Sequence, residues 1–295
     1  MKNFEIEVGN LTDVGRKRTH NEDYYGFFKT SGEVLAIIAD GMGGHASGEI
    51  ASRMAVEMIH EIYSKERDEK DILDALKTAF QTTNFTILQK SLEEASLNGM
   101  GTTATAFVLR KDQVFIGHMG DSRAYLLRDS TVTQLTRDHS LVGKMVDQGL
   151  LSREEAHRHP QKNVIYKTLG VNRDDELDLL GPIPVSFDDI FVLCSDGLIN
   201  HVTDEEILKV ASQESPQSAC ENLIHLANQR GGLDNITIQI LKMKKPGHQP
   251  LSLGDRKKFW LIIGLILLIL LVLNGLILID PEFLKKIPFL SLNKP

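Results

Sequence analysis

Two continuous apolar runs, each followed by an Asp-Gly pair, most constrain what this chain can fold into. They are residues 34–39 before Asp40-Gly41 and residues 190–195 before Asp196-Gly197. An apolar run of this length without alternation predicts a strand buried on both faces, so each aspartate lies at the end of a rigid element. The glycine that follows allows a turn with positive φ and a close approach of its backbone to a ligand. Two carboxylates in the same context therefore predict one shared cation site.

Length, charge and cysteine content restrict the class of protein. The chain has 295 residues, enough for one large domain or two small ones with a sizeable core. Its formal net charge of -7 gives no argument for nucleic-acid binding, and we expect no nucleic acid among its partners. Its two cysteines, Cys194 and Cys220, do not support a disulfide framework, which fits a reducing compartment.

The C-terminal part contains a long uncharged apolar segment. Residues 260–279 are 20 residues without a charged side chain. A helix of that length, at about 1.5 Å per residue, crosses the roughly 30 Å hydrocarbon core of a bilayer. The alternative, a buried helix of a soluble domain, does not need so long and so uniform a segment. We predict a transmembrane helix in contact with the lipid bilayer over residues 259–279, with a short tail, residues 280–295, beyond it.

The flanking residues predict the orientation of this helix. Residues 244–258 contain five basic side chains and one acidic side chain, and an excess of Lys and Arg marks the cytoplasmic side. The first eight residues alternate polar and apolar side chains, which predicts a strand and not a signal peptide. We therefore predict a single-pass protein of the cell inner membrane whose N-terminal domain is cytoplasmic.

The apolar pattern predicts one domain over residues 1–243, joined to the helix by a basic polar linker, residues 244–258. Its predicted elements are strands up to Asp40, helices over 49–63 and 71–92, an antiparallel meander over 103–132, a polar surface excursion over 139–181, a strand over 190–195, a mostly helical part over 205–230 and a strand over 236–241. Strands and helices in separate blocks, without βαβ alternation, predict an α+β fold.

Five segments carry an acid beside a glycine, an asparagine or a strand end. They are Asn21-Glu22-Asp23, Asp40-Gly41, Gly120-Asp121-Ser122-Arg123, Asp196-Gly197 and Asp234-Asn235. Each one alone is also typical of a loop acid that faces water. Four of them adjoin apolar strands, where an unpaired charge is costly. Carboxylate clusters without matching Lys or Arg favour hard divalent cations, and an all-oxygen set suits Mg²⁺ or Mn²⁺.

A basic segment precedes the first of these acids. Arg18 lies in the loop of residues 15–23, and the planar fork of an arginine there can bind a phosphate. An ordinary basic surface loop explains the same residues equally well, so this motif alone leaves both interpretations open.

Taken together, these motifs resemble the metal-dependent Ser/Thr protein phosphatases of the PP2C (PPM) family, in their bacterial form. The matching motifs are, in chain order, Gly15-x-x-Arg18-x-x-Asn21-Glu22-Asp23, Ala39-Asp40-Gly41-Met42-Gly43-Gly44-His45, Met100-Gly101-Thr102-Thr103, Gly120-Asp121-Ser122-Arg123, Thr136-Arg137-Asp138-His139-Ser140, Ser195-Asp196-Gly197 and Asp234-Asn235. The resemblance implies a four-layer αββα sandwich, in which two antiparallel sheets pack face to face and helices cover both outer faces.

The resemblance also implies a role for each site residue. It implies two or three Mn²⁺ or Mg²⁺ ions. Asp40 would bridge two of them, the carbonyl of Gly41 would bind one, and Asp196 and Asp234 would complete the ligands of the first. Glu22 would lie beside the second ion, and Asp121 with Asp196 would hold a third. Arg18 would bind the substrate phosphate and His45 would be the general acid. Asp23 would support its neighbours rather than bind an ion, and residues 139–181 would form a mobile flap.

The expected function is hydrolysis of phosphoserine and phosphothreonine on proteins by a metal-activated water, at the cytoplasmic membrane face and in opposition to a Ser/Thr kinase. One alternative is a catalytically silent binding module with the same fold, which the complete acidic set disfavours. A second is a regulatory phosphatase that resets one phosphorylated regulator. Neither a thiol-phosphate route nor a Gly-x-x-x-x-Gly-Lys-Ser/Thr loop is supported by the sequence.

Overall fold

Two antiparallel β-sheets form the centre of the fold. The computed structural model describes residues 4–30, 32–43, 46–68, 71–172 and 176–246. The strands are β1 (Glu5–Asp13), β2 (Asp23–Lys29), β3 (Glu33–Met42), β4 (Gly101–Thr102), β5 (Ala104–Arg110), β6 (Gln113–Met119), β7 (Arg123–Arg128), β8 (Thr131–Gln134), β9 (Asp178–Pro184), β10 (Ile190–Cys194) and β11 (Ile236–Lys244). The helices are α1 (Ala46–Glu66), α2 (Ile72–Glu93), α3 (Leu141–Asp147), α4 (Arg153–Arg158), α5 (Asp196–Ile199), α6 (Asp204–Gln213) and α7 (Pro216–Gln229).

The strands are divided between the two sheets. One sheet has the order β1-β11-β10-β7-β8, and the other has the order β2-β3-β5-β6-β9, with the short β4 paired to β3. Neighbouring strands are antiparallel throughout these paths. The first and last strands of the domain, β1 and β11, pair from Glu5↔Lys244 to Asp13↔Ile236. This pairing closes the domain, because it joins the two ends of its chain.

The uninterrupted apolar runs lie in strands that are buried on both faces. Along β3, Leu35 and Ile37 pack with α1 and α2 on the outer face, whereas Ala36 and Ile38 pack between the two sheets. β10 repeats this division, since Val192 packs with α5 to α7. Three apolar layers thus separate four structural layers. The predicted α+β sandwich of two antiparallel sheets flanked by helices is confirmed.

The helical part near the C-terminal end of the domain consists of two helices with a sharp break. α6 ends at Gln213 and α7 begins at Pro216. Ser215 caps α7, its hydroxyl accepting from the Ser218 N–H at 3.4 Å. A proline at the first helical position suits a helix start, because its missing N–H has no partner there in any case. The break therefore has a local cause in the sequence.

The predicted surface excursion of residues 139–181 is only partly correct. It contains the short helices α3 and α4, but Leu169 within it is fully buried, and Thr102 and Leu169 form an isolated β-bridge. From Asp178 onward the chain is the edge strand β9, paired with β6. We keep the name flap for residues 139–177, since this segment leaves the end of one sheet and returns at the edge of the other.

Some predictions fall on residues outside the described ranges. The proposed transmembrane segment, residues 259–279, the tail and most of the linker are among them, as is His45. Among the helices that are described, none has the length and apolar character needed to cross a membrane. The described part belongs to one compact unit, Met1–Lys245.

Candidate active site

Asp40 lies near the end of β3, and two threonines fix its backbone. The Asp40 N–H donates to Thr103 Oγ1 at 3.0 Å. Its carbonyl accepts from Thr102 Oγ1 at 2.9 Å and from the Thr103 N–H at 2.8 Å. Thr103 Oγ1 also lies 2.7 Å from Ser122 Oγ, next to Asp121. Because both backbone polar groups of Asp40 are bound, the strand sets the direction of its half-buried carboxylate.

Asp196 meets Asp40 from the other sheet. It is the first residue of α5, with Ser195 as the N-cap, so it begins a helix and does not end β10 as predicted. Its carboxyl shares a hydrogen bond with that of Asp40. On the other side, Asn200 Nδ2 donates to Asp196 Oδ2 at 3.1 Å. The two acids that follow the apolar runs are therefore brought together, as the sequence predicts.

The two glycines of the Asp-Gly pairs serve close approach of the backbone and not positive φ. Neither Gly41 nor Gly197 has a left-handed φ. A Cβ on Gly41 would lie 2.1 Å from the Gly48 carbonyl oxygen, and one on Gly197 would lie 2.0 Å from that of Asn235. The expectation of a positive-φ turn at these positions is wrong. Other segments pack so closely against both glycines that no side chain fits there.

Asp234 and Arg18 form an exposed ion pair at the edge of this cluster. Arg18 Nη2 donates to Asp234 Oδ2 at 2.8 Å, with the side chains 51% and 31% exposed. Asn235 holds the two loops together, since its Nδ2 donates to the carbonyl oxygens of Val14 and His20, both at 2.9 Å. This amide therefore places the basic loop of residues 15–23 against the last acid of the set.

Glu22 joins the cluster through the same asparagine. Its N–H donates to Asn235 Oδ1 at 2.8 Å, and its carbonyl accepts from the Gly41 N–H at 3.1 Å and from Ser52 Oγ at 2.5 Å. Its charge acts on Arg18, together with that of Asp40. Glu22 is thereby fixed next to Gly41 by its own backbone.

Asp121 lies in the turn between β6 and β7 and approaches from the flap side. It is 6% exposed, and its Oδ1 has no hydrogen-bond partner among the described residues. Burial raises the pKa of Asp121 well above its usual value, and the charges of Asp196 and Asp138 raise it further. A buried carboxylate oxygen without a donor is costly unless a cation is bound to it.

The close grouping of acids changes their proton affinity. Burial raises the pKa of Asp40 well above its usual value, and the negative charges of four neighbouring acids raise it further. These acids are Asp23, Asp196, Asp121 and Asp234. Burial and then the charge of Asp234 raise the pKa of Asp196 to about 6. These shifts describe carboxylates that repel one another where water stabilises them poorly. A divalent cation between them removes that repulsion.

Asp23 acts as a brace between the sheets. It is 5% exposed, and its Oδ2 accepts from Ser195 Oγ at 2.8 Å and from Thr237 Oγ1 at 2.6 Å. It thus connects the start of β2 in one sheet to the β10–α5 junction and to β11 in the other. Burial raises the pKa of Asp23 to about 7, although the two hydrogen bonds act to lower it. These contacts agree with the interpretation of Asp23 as support for its neighbours.

The residues present fit hard divalent ions. The donors are all oxygens, one of them is buried without a partner, and the pKa shifts show uncompensated negative charge. Within the part of the chain that the structure describes, no three His, Cys, Asp or Glu side chains stand in an arrangement that could itself hold an ion. Instead, Arg18 pairs with Asp234, and the carboxyls of Asp40 and Asp196 contact each other. Ion binding would replace these two contacts.

The sequence motifs located the acids but not the residues that orient them. Thr103, Asn200 and Asn235 act through hydrogen bonds to a site acid or its loop. Thr103 and Asn235 lie in motifs that the resemblance had already matched, and this was the available signal; Asn235 also directly follows Asp234. Asn200 had none, because its role depends on the helical turn that brings residues 196 and 200 together.

The sequence also matches known proteins over most of its length. Residues 14–229 match the family described as Protein phosphatase 2C. The chain is 41% identical over 238 residues to the serine/threonine phosphatase stp of Listeria welshimeri, covering 78% of this chain and 93% of that protein. The chain belongs to the protein phosphatase 2C family. The prediction that it is a protein serine/threonine phosphatase is confirmed by this membership and these relatives.

Solved structures of the protein phosphatase 2C fold agree with the architecture. The S. agalactiae serine/threonine phosphatase superposes with a TM-score of 0.73 at 36% identity, covering 81% of this chain and all of that one. The catalytic domain of PstP, in complex with two manganese ions, gives 0.70 at 33% identity, covering 82% of this chain and 100% of that one. The fold of this protein phosphatase 2C member therefore extends through the described domain.

The raised pKa values predict that ion binding to this protein phosphatase 2C member is coupled to proton release. Burial and neighbouring charges favour the protonated forms of Asp40 and Asp196, whereas binding an ion requires their ionised forms. Affinity for Mn²⁺ should thus fall as the pH is lowered from 7.5 to 6.0, by at most about tenfold per pH unit for each proton displaced. The electron paramagnetic resonance signal of free Mn²⁺ measures this affinity. Equal affinities at both pH values would show that these carboxyls are not ligands.

Proposed function

We propose that this chain hydrolyses phosphoserine and phosphothreonine esters of proteins with water, at a site for two or three Mn²⁺ or Mg²⁺ ions. The observation that carries the proposal is the meeting of acids from both sheets beside one arginine. The names of the relatives, serine/threonine phosphatases, support the substrate class. The two manganese ions in the PstP structure support the cofactor.

The acids have distinct proposed roles in holding the ions. Asp40 and the Gly41 carbonyl, with Asp196 and Asp234, would hold the first ion. Asp40 with Glu22 would hold the second, and Asp121 with Asp196 would hold a third. When bound, such ions lower the pKa of water enough for it to attack phosphorus near neutral pH. The threonines at Asp40 and the asparagines at Asp196 and Asp234 keep these oxygens in place.

Arg18 is proposed to bind the phosphate of the substrate. An exposed ion pair such as Arg18–Asp234 contributes only about 0–1 kcal/mol. The guanidinium can therefore leave Asp234 at little cost and place its planar fork on two phosphoryl oxygens. There it would neutralise charge that develops as the ester bond breaks. His45, outside the described residues, is proposed to give the departing serine or threonine oxygen its proton.

We further propose that residues 259–279 tether the enzyme to the cytoplasmic face of the membrane, where it opposes a Ser/Thr kinase. The uncharged apolar segment and its basic flank support this proposal. Full-length protein should stay in the membrane fraction after a high-salt wash, whereas a chain ending at residue 245 should be soluble. A truncated chain that stays with the membrane would refute the tether.

The proposed activity is tested with a phosphothreonine peptide and the full-length protein in mild detergent. Phosphate release should require Mn²⁺ or Mg²⁺, stop with a chelator and return when Mn²⁺ is added back. Release that continues at the same rate in excess chelator would contradict the proposed chemistry.

Arg18→Ala should weaken substrate binding more than turnover. Loss of a charged hydrogen-bond donor to phosphate predicts a KM for the phosphopeptide raised roughly tenfold or more, with a smaller change in kcat. Arg16→Ala, in the same loop, is the matched control and should leave both constants near those of the wild type. Steady-state kinetics separates the two effects. An unchanged KM in Arg18→Ala would remove the phosphate role of this arginine.

A further inference from the structure

One buried histidine holds the turn that carries Asp121. His139 is 3% exposed. Its ring Nδ1 accepts from the Gly120 N–H at 3.1 Å, and its backbone N–H donates to the Gly120 carbonyl at 2.7 Å. A single residue therefore binds both backbone polar groups of the residue before Asp121.

The other edge of the same ring faces the end of the flap. His139 Nε2 lies 3.3 Å from Asp178 Oδ1, and Asp178 is the first residue of β9, where the flap returns to the sheet. Lys167 Nζ lies 3.9 Å from the same oxygen, and the His139 carbonyl accepts from the Tyr166 N–H at 2.8 Å. Since residue 139 begins the flap and residue 178 follows its end, this contact closes the base of the flap.

The hydrogen bonds determine which nitrogen carries the proton. A backbone N–H can only donate, so His139 Nδ1 must present its lone pair to Gly120, and the ring proton lies on Nε2 toward Asp178. Burial lowers the pKa of His139, although the charge of Asp178 acts in the opposite direction. The lowered pKa favours this neutral form. The ring of His118 packs 4.9 Å away, and burial lowers its pKa to about 4, so it adds no positive charge.

A purely structural role in the core would explain why His139 is buried, but the position of Asp121 indicates that the histidine also orients this carboxylate. Asp121 Oδ1 has no hydrogen-bond partner in the described part of the chain. No described group holds this oxygen, so its position depends on the turn that carries Asp121, and His139 binds the backbone of that turn at Gly120. The same imidazole is connected to the flap, which borders the cavity of about 630 Å³ that Asp121 and Asp196 line.

We propose that His139 is a positioning residue that holds the Asp121 carboxylate in place for ion binding through its Nδ1, and ties the base of the flap through its Nε2. This inference rests on the proposed function, in which Asp121 binds an ion. Outer partners that orient a metal ligand typically change ion affinity or activity by roughly 10- to 100-fold when they are removed. The two functions of the ring are on different nitrogens, so different variants can separate them.

Asparagine and glutamine each replace one side of the imidazole. In His139→Asn, the amide oxygen can take the place of Nδ1 and accept from the Gly120 N–H, but the shorter side chain does not reach Asp178, which keeps only Lys167 nearby. In His139→Gln, the longer amide can reach Asp178 but leaves the Gly120 N–H without an acceptor. Asp178→Asn is a matched variant that alters the base of the flap and leaves the Gly120 contact intact.

The test measures Mn²⁺ affinity by calorimetry and flap opening by limited trypsin cleavage, on full-length protein in detergent. His139→Gln should bind its weakest Mn²⁺ roughly 10- to 100-fold less tightly and lose kcat, with KM for the phosphopeptide little changed. His139→Asn should restore Mn²⁺ affinity to within about threefold of the wild type. Trypsin should cut at Arg153, Arg158 or Lys162 faster in His139→Asn and Asp178→Asn than in His139→Gln.

Each outcome decides the inference. Unchanged Mn²⁺ affinity in His139→Gln, or equal losses in His139→Gln and His139→Asn, would overturn it. Should His139→Gln fail to fold, as its melting temperature would show, His139→Ala takes its place as the variant without an acceptor for the Gly120 N–H. It should then bind Mn²⁺ less tightly than His139→Asn, and equal affinities in these two variants would refute the inference. Wild-type protein without Mn²⁺-dependent turnover would instead refute the proposed function, so the two failures are distinguishable.

Discussion

Replacing Asp196 by asparagine is expected to reduce turnover of a phosphothreonine peptide by at least about 10²–10³-fold, the loss typical of removing one electrostatic stabiliser from an active site. The variant keeps the shape of the side chain and its contact with Asn200, but removes the charge that the ions need. Turnover measured at saturating Mn²⁺ and peptide tests this expectation. Nearly wild-type turnover would show that Asp196 is not a ligand.

The same variant should be more stable than the wild type when no metal is present. Burial and the charge of Asp234 raise the pKa of Asp196, which means that its ionised form is disfavoured in the folded protein. Asparagine removes that repulsion, so the melting temperature in chelator at pH 7.5 should rise. Asp129→Asn is the matched control, because Asp129 lies in an exposed turn after β7. It should change neither turnover nor melting temperature.

Glu33→Gln is expected to lower the free energy of unfolding by about 3 kcal/mol, because it removes the buried acid that joins Arg67 and Arg110. Glu33 Oε1 accepts from Arg67 Nη1 at 2.7 Å and its Oε2 accepts from Arg110 Nε at 2.5 Å and from the Tyr63 hydroxyl at 2.9 Å. Its side chain is 5% exposed. The substitution leaves two guanidinium groups near one another, with only the exposed Asp68, 4.0 Å from Arg67 Nε, as a counter-charge.

Thermal unfolding measures this loss. For a domain of this size, about 3 kcal/mol corresponds to a decrease in melting temperature of roughly 10 °C. Glu61→Gln is the control, because Glu61 pairs with Lys65 on the exposed face of α1, and such pairs contribute only about 0.3–0.5 kcal/mol. Turnover per folded molecule should be unchanged in both variants. Equal melting temperatures for the two would contradict the role of the Glu33 cluster.

The strands with continuous apolar runs were predictable because burial on both faces leaves a clear pattern. β3 and β10 lie between a helical layer and the opposite sheet, so residues 34–39 of β3 and all five residues of β10 are apolar. β9 was missed for the opposite reason. Its seven residues are half-buried or exposed at a sheet edge, so neither alternation nor a continuous run marks it, and only pairing with β6 makes it a strand.

The acids of the site were predictable and their supports were not. Asp40 and Asp196 stand out because a charge at the end of a buried run needs a reason. Asn235 and Thr103 make ordinary hydrogen bonds to partners that are distant in the sequence, so the matched motifs marked these residues but did not reveal their contacts. The prediction of positive φ at the glycine after each acid was wrong, because the constraint comes from the Gly48 and Asn235 carbonyl oxygens that pack against these glycines. The close approach to a ligand stays a prediction.

The most direct test of the central claim is anomalous diffraction from crystals of the protein grown with Mn²⁺. The account predicts at least two manganese peaks, one in contact with Asp40, Asp196 and Asp234 and a second beside Asp40 and Glu22, with Arg18 displaced from Asp234. Crystals that contain manganese elsewhere but show no peak at Asp40 and Asp196 would contradict it.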